Sequence, residues 1–394
     1  MGKREKLRLS FIVGIAFYFL AVSMVINGAV LPRWMEIFAL STARAGRLFA
    51  LYYLPYVVAT FFSGALCDIL GKKPVLVVSQ TFLALGFFVV SLADAFPGVE
   101  WGVFLAGIGG GFCEAPLTGL VSQIFSGREG YALNLSQISF GLGAATGPYV
   151  AGFLLGRAVS WRVLYFVPGL FSVLLVVLLA REEVLFASGR DGGARLGDLR
   201  ALFRWKGFLL VSFLAIFLYV GAEIGSSAWL STYFVRELKK GFYLGGAAMG
   251  IFWGTMTLGR LIFGFMARKL DYLFLLRILV LLSFFSLLLL NVTQRVSLVL
   301  GALFGIGLGF SAIWPLVVAR VAQRISDFQA TAIGLTVAFG GMGALFFPWF
   351  MGMVAGFVGL RWIFVIALVL VAALFLVTQN RIFREGEKYG TSWS

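Results

Sequence analysis

Residues 132–156 read ALNLSQISFGLGAATGPYVAGFLLG, and residues 332–356 read AIGLTVAFGGMGALFFPWFMGMVAG. The second stretch follows the first by 200 positions without a gap, and 8 of the 25 aligned positions are identical. The identical residues of the first copy are Ala132, Leu135, Gly141, Gly143, Ala144, Pro148, Gly152 and Gly156. Neither stretch contains a charged residue. This match predicts that the second half of the chain repeats the architecture of the first.

Apolar stretches of this kind dominate the chain, because 61% of its 394 residues are hydrophobic and only 12% are charged. Soluble domains have about 45–50% apolar and about 25% charged residues, so the excess apolar surface must face lipid. A spanning helix needs about 20 apolar residues, whereas a barrel strand alternates apolar and polar residues. We predict twelve helical spans, numbered here in chain order: 9–31, 48–66, 74–93, 101–125, 132–155, 163–180, 208–233, 247–266, 272–292, 296–318, 331–357 and 362–378.

Several functional classes are excluded by composition. The chain has no histidine, which excludes imidazole metal sites and His-based triads, and it has only two cysteines, Cys67 and Cys113. The glycine-rich residues 107–111, GIGGG, lie inside an apolar run with no strand before them, so they do not form a phosphate loop. We expect a membrane protein that is not an enzyme, with no cofactor, no metal and no nucleic acid as partner.

The connection at residues 181–206 is rich in charged residues and contains two adjacent glycines, so it predicts a solvated linker. It divides the chain into a bundle of six helices at 1–180 and a second bundle at 207–394. With the N-terminus placed inside, the inner segments hold 21 of the 32 basic residues. Basic residues favour the cytoplasmic side. We therefore predict a multi-pass protein of the cell membrane with both termini in the cytoplasm.

Six plus six helices in the same orientation form a parallel repeat, whose axis runs along the membrane normal. Transporters built from such repeats carry their substrate site at the repeat interface near the midplane. We therefore expect an all-α membrane protein with twelve transmembrane helices in two pseudo-symmetric six-helix bundles, and residues 132–156 should overlay residues 332–356.

Two motifs resemble signatures of the major facilitator superfamily. Residues 64–73, GALCDILGKK, are similar to its motif between helices two and three, although the family usually has an arginine where this chain has Ile69. Residues 143–152, GAATGPYVAG, are similar to its helix-five signature. With the twelve spans, the resemblance covers nearly the whole chain and implies the major facilitator fold and transport by alternating access.

A second resemblance is to the fucose–proton symporters and their sugar-porter relatives. It rests on residues 219–223, YVGAE, on residues 252–254, FWG, and on Glu114 in a glycine-rich fourth span. Those symporters often carry an acid in helix one, where this chain has Asn27 and Gly28. The resemblance therefore implies proton-coupled sugar transport without an acid in the first span.

Three charged residues lie inside spans, where a charge costs about 2.5–3.5 kcal/mol at the centre. Glu114 lies 13 residues after Trp101, roughly 20 Å along the helix and near the midplane. A carboxyl group away from water favours its neutral form and can carry a proton, so Glu114 is our first candidate for proton coupling and Glu223 the second. The alternative for Glu223 is a structural bond to span 11 or to Arg260, and Arg260 either holds an anionic substrate or pairs structurally near the inner gate.

The remaining candidates are grouped by the role that their residue types suit. Sugars suit aromatic faces and amides, and the residues that we expect to bind substrate are Asn27, Glu114, Asn134, Gln137, Glu223, Trp229, Trp253 and Trp314. The residues that we expect to gate the transporter are Asp68, Lys72, Lys73 and Arg260. The residues that we expect to allow close packing or bending are Gly143, Gly147, Pro148, Gly343 and Pro348.

The sequence thus predicts a secondary transporter, and proton-coupled uptake of a sugar or a similar neutral polar solute is the favoured function. Proton-linked efflux of amphipathic compounds is the alternative, because the helix-five signature is associated with antiporters and the chain is rich in aromatic residues. A wide aromatic cavity favours efflux, and a narrow cavity rich in amides favours sugar. We expect the protein to work as a monomer in the bilayer, with a proton as coupling ion.

Overall fold

A computed structural model gives the fold and describes residues 3–125, 129–182, 205–266, 269–325 and 329–384. Within these ranges every regular element is a helix, and twelve spans are long and apolar enough to cross a membrane. Their bounds are Lys3–Ile37, Thr42–Leu70, Lys72–Leu92, Phe96–Ile124, Glu129–Gly156, Val163–Arg181, Lys206–Thr232, Gly241–Met266, Tyr272–Val292, Val296–Arg324, Gln329–Val358 and Trp362–Gln379. The prediction of twelve helical spans is confirmed.

The ends of the spans are less regular than the predicted runs. Span 7 continues into a π-helical turn at Tyr233–Glu237, and span 12 is followed by a single helical turn at Arg381–Arg384. Span 1 begins at Lys3 rather than residue 9, because its basic first turns continue the helix beyond the apolar run.

Span 10 differs most from its prediction, because it is two helices, Val296–Phe310 and Ile313–Arg324. Pro315 has no N–H to bond to the carbonyl of Ser311, and its ring crowds that carbonyl. The helix therefore breaks at residues 311–312. The Tyr219 hydroxyl of span 7 donates a hydrogen bond of 2.9 Å to the carbonyl of Phe310 at the break.

Span 4 also carries a proline, Pro116, but its helix is continuous. Pro116 leaves the carbonyl of Phe112 without its usual partner in the helix. The Ser63 hydroxyl of span 2 donates to that carbonyl at 3.0 Å. Since a backbone group without a partner is costly in lipid, this bond permits the proline turn inside the membrane.

The chain divides into two compact units. The first comprises Met1–Gly193 and Ala228–Gly254, and the second comprises Ala194–Ser227 and Thr255–Ser394. In the first unit span 4 packs on spans 2 and 3, span 1 on span 5, and span 3 on span 6; in the second, span 9 packs on spans 10 and 12. The predicted bundle boundaries stay a prediction, and residues 183–204 of the predicted linker lie outside the described residues.

The internal repeat is visible in one contact that occurs in each half. Arg162, at the start of span 6, donates to the carbonyl of Ala93 at 2.8 Å and to the Asp94 carboxylate at 2.9 Å. Arg361, at the start of span 12, donates to the carbonyl of Asn291. Each arginine thus closes the last turn of span 3 or span 9, where orphan carbonyls favour a cation.

Candidate functional site

Spans 4 and 10 each carry a proline shortly after a matching glycine-rich stretch, Pro116 in span 4 and Pro315, shifted by one position, in span 10. With an offset of 198 residues, Gly107, Ile108, Gly109, Gly111 and Phe112 match identical residues from 305 to 310. In transporters, paired interruptions of this kind indicate the binding region. We therefore expect the candidate site to include residues around these two turns.

The first polar cluster surrounds Glu114, which lies in the turn just before Pro116. The hydroxyl of Tyr56, in span 2, donates a hydrogen bond to Oε2 of Glu114. Tyr56 stacks on Tyr52 with ring centroids 6.0 Å apart, and the Tyr52 and Ser23 hydroxyls share a hydrogen bond of 2.9 Å. Polar groups thus extend from span 1 through span 2 to the carboxyl group in span 4.

Glycines explain how span 4 comes so close to the two tyrosines. A Cβ at Gly107 or Gly111 would collide with the backbone carbonyl of Tyr52 or Tyr56. A Cβ at Gly110 would lie 2.8 Å from the Tyr52 hydroxyl. The glycine run of residues 107–111 therefore allows the backbones of spans 2 and 4 to approach closely and leaves room for the Tyr52 side chain.

The second polar cluster lies in the second unit around Glu223, whose side chain is buried in span 7. The carboxyl group lies beside the Tyr219 hydroxyl and is attracted by the guanidinium of Arg260 in span 8. Tyr219 is the residue that also donates to the carbonyl at the break of span 10. The cluster therefore joins spans 7, 8 and 10 through one buried acid, one cation and one hydroxyl.

The two acids differ in their neighbours. Glu114 has a neutral hydroxyl as its hydrogen-bond donor, and among the described residues it forms no ion pair, whereas Glu223 lies beside a cation. The 200-residue offset pairs Ser23 with Glu223 and Thr60 with Arg260, so the charges are not repeated between the halves. Because its donor is neutral, Glu114 can gain or lose a proton without leaving a cation unpaired. Glu223 lies beside Arg260, so its charge balances the charge of that arginine.

The predicted substrate-binding amides are not gathered around one point. Asn27 is buried, and its Oδ1 accepts a hydrogen bond of 2.8 Å from the Tyr165 hydroxyl. Gln137 is exposed in span 5. The side chain of Asn134 lies outside the part of the chain that the structure describes. The bond from Tyr165 shows that Asn27 at least contributes to packing within its unit.

The three predicted tryptophans differ in their surroundings. Trp229 is fully buried with its ring centroid 6.0 Å from that of Phe49, and Trp253 lies 5.5 Å from the ring of Phe252. Trp314 is half-buried in the first turn after the break of span 10. Of the three, Trp314 is the one that adjoins an interrupted span.

Three of the predicted gating residues, Asp68, Lys72 and Lys73, lie at the connection between spans 2 and 3, and their gating role stays a prediction. Asp68 is exposed, and it forms no ion pair with another residue in the described ranges. Nζ of Lys72 donates to the carbonyl of Gly119 at 3.3 Å, near the end of span 4. Lys73 is half-buried beside it. Lys72 therefore joins the start of span 3 to the second half of span 4, an interaction within the first unit.

The predicted packing residues lie at close helix contacts. A Cβ at Gly143 would collide with the carbonyl of Tyr18 in span 1, and a Cβ at Gly343 would collide with the carbonyl of Phe217 in span 7. A Cβ at Gly147 would lie 3.2 Å from Cγ2 of Val22, which is a tight contact with a side chain rather than with the backbone. Pro148 and Pro348 lie inside the continuous helices of spans 5 and 11.

Sequence reasoning missed Tyr56, which donates to Glu114, and the neighbouring polar residues Tyr52, Ser23 and Ser63. The chain has 12 tyrosines, so residue type alone does not distinguish two of them. One usable signal was the four-residue spacing of Tyr52 and Tyr56, which places both on one face of span 2.

Part of the first unit is closed by backbone contacts at the predicted outer end. Gly152 of span 5 and Gly246 of span 8 approach so closely that a Cβ on either would lie 2.7 Å from the Cα of the other. A Cβ at Gly28 would lie 2.9 Å from the carbonyl of Ala228. The Ser231 hydroxyl donates to the carbonyl of Ala29 at 3.1 Å. Spans 7 and 8 thus meet spans 1 and 5 through direct backbone contacts at these glycines.

The chain is similar to known membrane transport proteins in sequence. Residues 11–336 match the model of a family described as the Major Facilitator Superfamily. A TsgA homolog from Serratia proteamaculans (strain 568) is 22% identical over 272 residues, which are 69% of this chain and 68% of that protein.

Two solved structures share the fold. The inward-facing, unoccupied structure of a bacterial homolog of the human lysosomal transporter Spinster has a TM-score of 0.78 at 14% identity, and the match covers 98% of this chain and 99% of that chain. A D-xylose–proton symporter has a TM-score of 0.74 at 13% identity, covering 94% and 97%. The major facilitator fold, two pseudo-symmetric six-helix bundles, is therefore confirmed, as is a transporter rather than an enzyme.

The contact between Gly152 and Gly246 generates the first prediction. In Gly246→Leu the new side chain meets Pro148 and Gly152 of span 5, so spans 5 and 8 should separate at this end. Spin labels at the exposed residues Arg157 and Lys240 should then report a distance several ångströms longer. Gly264→Leu is the matched control in span 8, because a Cβ there has no heavy atom within 4 Å. Equal distances in all proteins would mean that the contact does not hold this end closed.

The pair of Glu223 and Arg260 generates the second prediction. Breaking a fully buried pair costs about 3–5 kcal/mol, and Arg260 is half-buried, so we expect a smaller loss from Glu223→Gln or Arg260→Gln alone. The double variant should recover a large part of the loss, because neither charge is then left alone. Thermal unfolding in detergent measures this. The exposed pair Arg33 and Glu36 is the control and should show little coupling. Additive losses at Glu223 and Arg260 would contradict the pairing.

Proposed function

Because the chain belongs to the Major Facilitator Superfamily and is a membrane transporter, we propose that it takes up a sugar or a similar neutral polar solute together with a proton. The observation that carries the proposal is the carboxyl group of Glu114, held by Tyr56 in the proline turn of span 4. An intramembrane acid is costly and indicates a functional site by default. The D-xylose–proton symporter, which shares the fold, is a protein with the kind of function proposed here.

Glu114 carries the proton in this proposal. When the carboxyl group is charged, the Tyr56 hydroxyl stabilises it by donating a hydrogen bond. When the group takes up a proton at one of its carboxyl oxygens, it becomes a neutral donor and acceptor that suits a sugar hydroxyl. Loading on one side of the membrane and release on the other would move one proton in each cycle, because the neutral form is favoured only where water is excluded.

The membrane and orientation belong to the same proposal. We infer that the protein lies in the cell membrane as a monomer with both termini in the cytoplasm. The basic residues of the N-terminus and of the connections between spans 2 and 3 and between spans 8 and 9 support that orientation. In this frame the glycine contacts of spans 1, 5, 7 and 8 lie at the outer end.

Efflux of amphipathic compounds is the second candidate, and it is compatible with the aromatic surroundings of Glu114. Tyr53 packs against Tyr52 and Tyr56 with ring centroids 5.1 and 6.0 Å away, so an aromatic surface adjoins Glu114. Aromatic rings also stack on sugars, so this surface does not separate the two candidates. Flux in reconstituted vesicles separates them, since sugar uptake and dye extrusion respond oppositely to the same imposed pH gradient.

The third prediction concerns Glu114→Gln, which fixes the side chain in a form like the neutral acid. It should abolish accumulation of substrate against a gradient while sparing binding and counterflow exchange, because the chain can still alternate but no longer carries the proton. Glu100→Gln is the matched control, since Glu100 lies in the same span but pairs with Arg47 at 2.5 Å. Normal accumulation by Glu114→Gln in proteoliposomes would exclude Glu114 as the coupling site and leave Glu223 as the next candidate.

The fourth prediction concerns Tyr56→Phe, which keeps the ring and removes the hydroxyl that donates to Glu114. A hydrogen bond to a charged group contributes about 1.5–3 kcal/mol, so we expect proton-driven accumulation to slow by about tenfold or more. Counterflow exchange, which needs no net proton movement, should fall much less. Tyr18→Phe removes a hydroxyl bonded to Thr146 at 2.8 Å and serves as the control. Equal losses in both assays would assign Tyr56 to packing rather than to coupling.

A further inference from the structure

A cleft of about 530 Å³ opens in the first unit, at the predicted outer end of the spans. It lies between the end of span 1, the turn that joins spans 5 and 6, and the start of span 8. Its polar lining includes Arg33, Ser160 and Arg162, and its apolar lining includes Ile37, Trp161 and Phe242. No proposed step of transport uses this cleft.

The segments around the cleft are strongly basic. Residues 31–40, 153–162 and 234–244 contain six basic and two acidic residues. The basic residues are Arg33, Arg157, Arg162, Arg236, Lys239 and Lys240. Arg236 reaches the end of span 1, where its guanidinium lies 3.9 Å from the sulfur of Met35. Basic residues are expected mainly at the cytoplasmic side, so such a group at the opposite end points to an anionic partner.

The two arginines of the lining keep donors available. Arg162 is fixed by Ala93 and Asp94 through one terminal nitrogen, and its guanidinium carbon lies 4.9 Å from the Trp161 ring centroid. Arg33 uses one terminal nitrogen for Glu36. A guanidinium has five N–H donors, so each arginine retains donors that these bonds do not use. Planar guanidinium groups match the oxygens of phosphate.

The backbone of the turn is also unusual. Ala158, in the lining, has a φ of 59°, which is a left-handed conformation that residues with a side chain rarely adopt. Such strain concentrates at binding sites, where the surroundings fix it. Here it turns the chain between Gly156 and Ser160 so that both residues line the cleft.

We propose that this cleft binds the phosphate group of an anionic phospholipid from the adjacent leaflet. Arg33 and Arg162 would hold the phosphate oxygens, and the apolar side chains of Ile37 and Phe242 would contact the glycerol and the first acyl carbons. Two features favour a lipid over a free anion. The cleft lies at the ends of spans 1, 5 and 8, which is the depth of lipid headgroups, and half of its walls are apolar. The net positive charge favours an anionic headgroup such as phosphatidylglycerol over a zwitterionic one.

The test is binding of phosphatidylglycerol to the purified full-length chain, measured by native mass spectrometry and by the rise in thermal unfolding temperature. Arg33→Gln should weaken binding by about fivefold, the loss expected for one basic residue near an anionic lipid. Its structural cost is small, because Arg33 is bonded to an exposed Glu36 one turn away. Arg47→Gln is the matched control: it removes the same charge at the same end of the protein but does not line the cleft.

The second variant changes Arg162, which also bonds to the end of span 3. Arg162→Gln would remove that bond together with the charge, so a loss of binding would not be distinguishable from misfolding. Arg162→Lys keeps the charge but loses the planar fork, and it should weaken phosphatidylglycerol binding while the chain remains folded. Unchanged binding by Arg33→Gln, or equal losses in Arg33→Gln and Arg47→Gln, would overturn the proposal. Equal affinity for phosphatidylcholine would overturn it too, because charge would then not be recognised. Glycerol 3-phosphate that protects as well as the lipid would identify a small-anion site instead.

Discussion

A helix inside a membrane must satisfy its own backbone, and this constraint governs the centre of the protein. Pro116 removes one hydrogen bond from the continuous helix of span 4, and Pro315 follows the break in span 10, so each span has carbonyls that lipid cannot solvate. A hydroxyl from another span meets a carbonyl at each place: Ser63 at Phe112, and Tyr219 at Phe310. The offset of 198 residues pairs these two phenylalanines. The repeat therefore conserves the position of the interrupted turn, while different side chains satisfy it.

That shared turn carries different chemistry in the two halves. The residue two positions after Phe112 is Glu114, whereas the residue two positions after Phe310 is Ala312. In the second half the acid is Glu223 in span 7, where the first half has Ser23, and it lies beside Arg260. An acid with a neutral donor can exchange a proton without stranding a cation, whereas an acid beside a cation cannot. This asymmetry is the physical reason for assigning coupling to Glu114.

The length and apolarity of the spans predict the fold, because only closed helices satisfy the backbone in lipid. The break of span 10 is harder to predict: Pro116 and Pro315 have the same local effect, yet span 4 stays continuous. The site is harder still. Glu114 is distinctive in any sequence, but Tyr56 becomes significant only when Gly111 brings span 4 against it. Asn27 shows the reverse, since a promising amide is bonded to Tyr165.

The glycine contacts explain how a well-packed membrane protein can still open. Gly152 and Gly246 meet backbone to backbone, and the side-chain hydrogen bonds described in the same region include two between uncharged groups, from Ser231 to Ala29 and between Tyr149 and Tyr243. Inside a membrane there is no hydrophobic force between helices, so close van der Waals packing holds such a contact. Packing of this kind is lost over a short separation and leaves no buried charge behind. The same contact would be costly to open if a salt bridge such as Arg162 with Asp94 closed it, because separation would strand both charges. We propose that this contact forms and breaks during transport, and glycine at these positions suits that role.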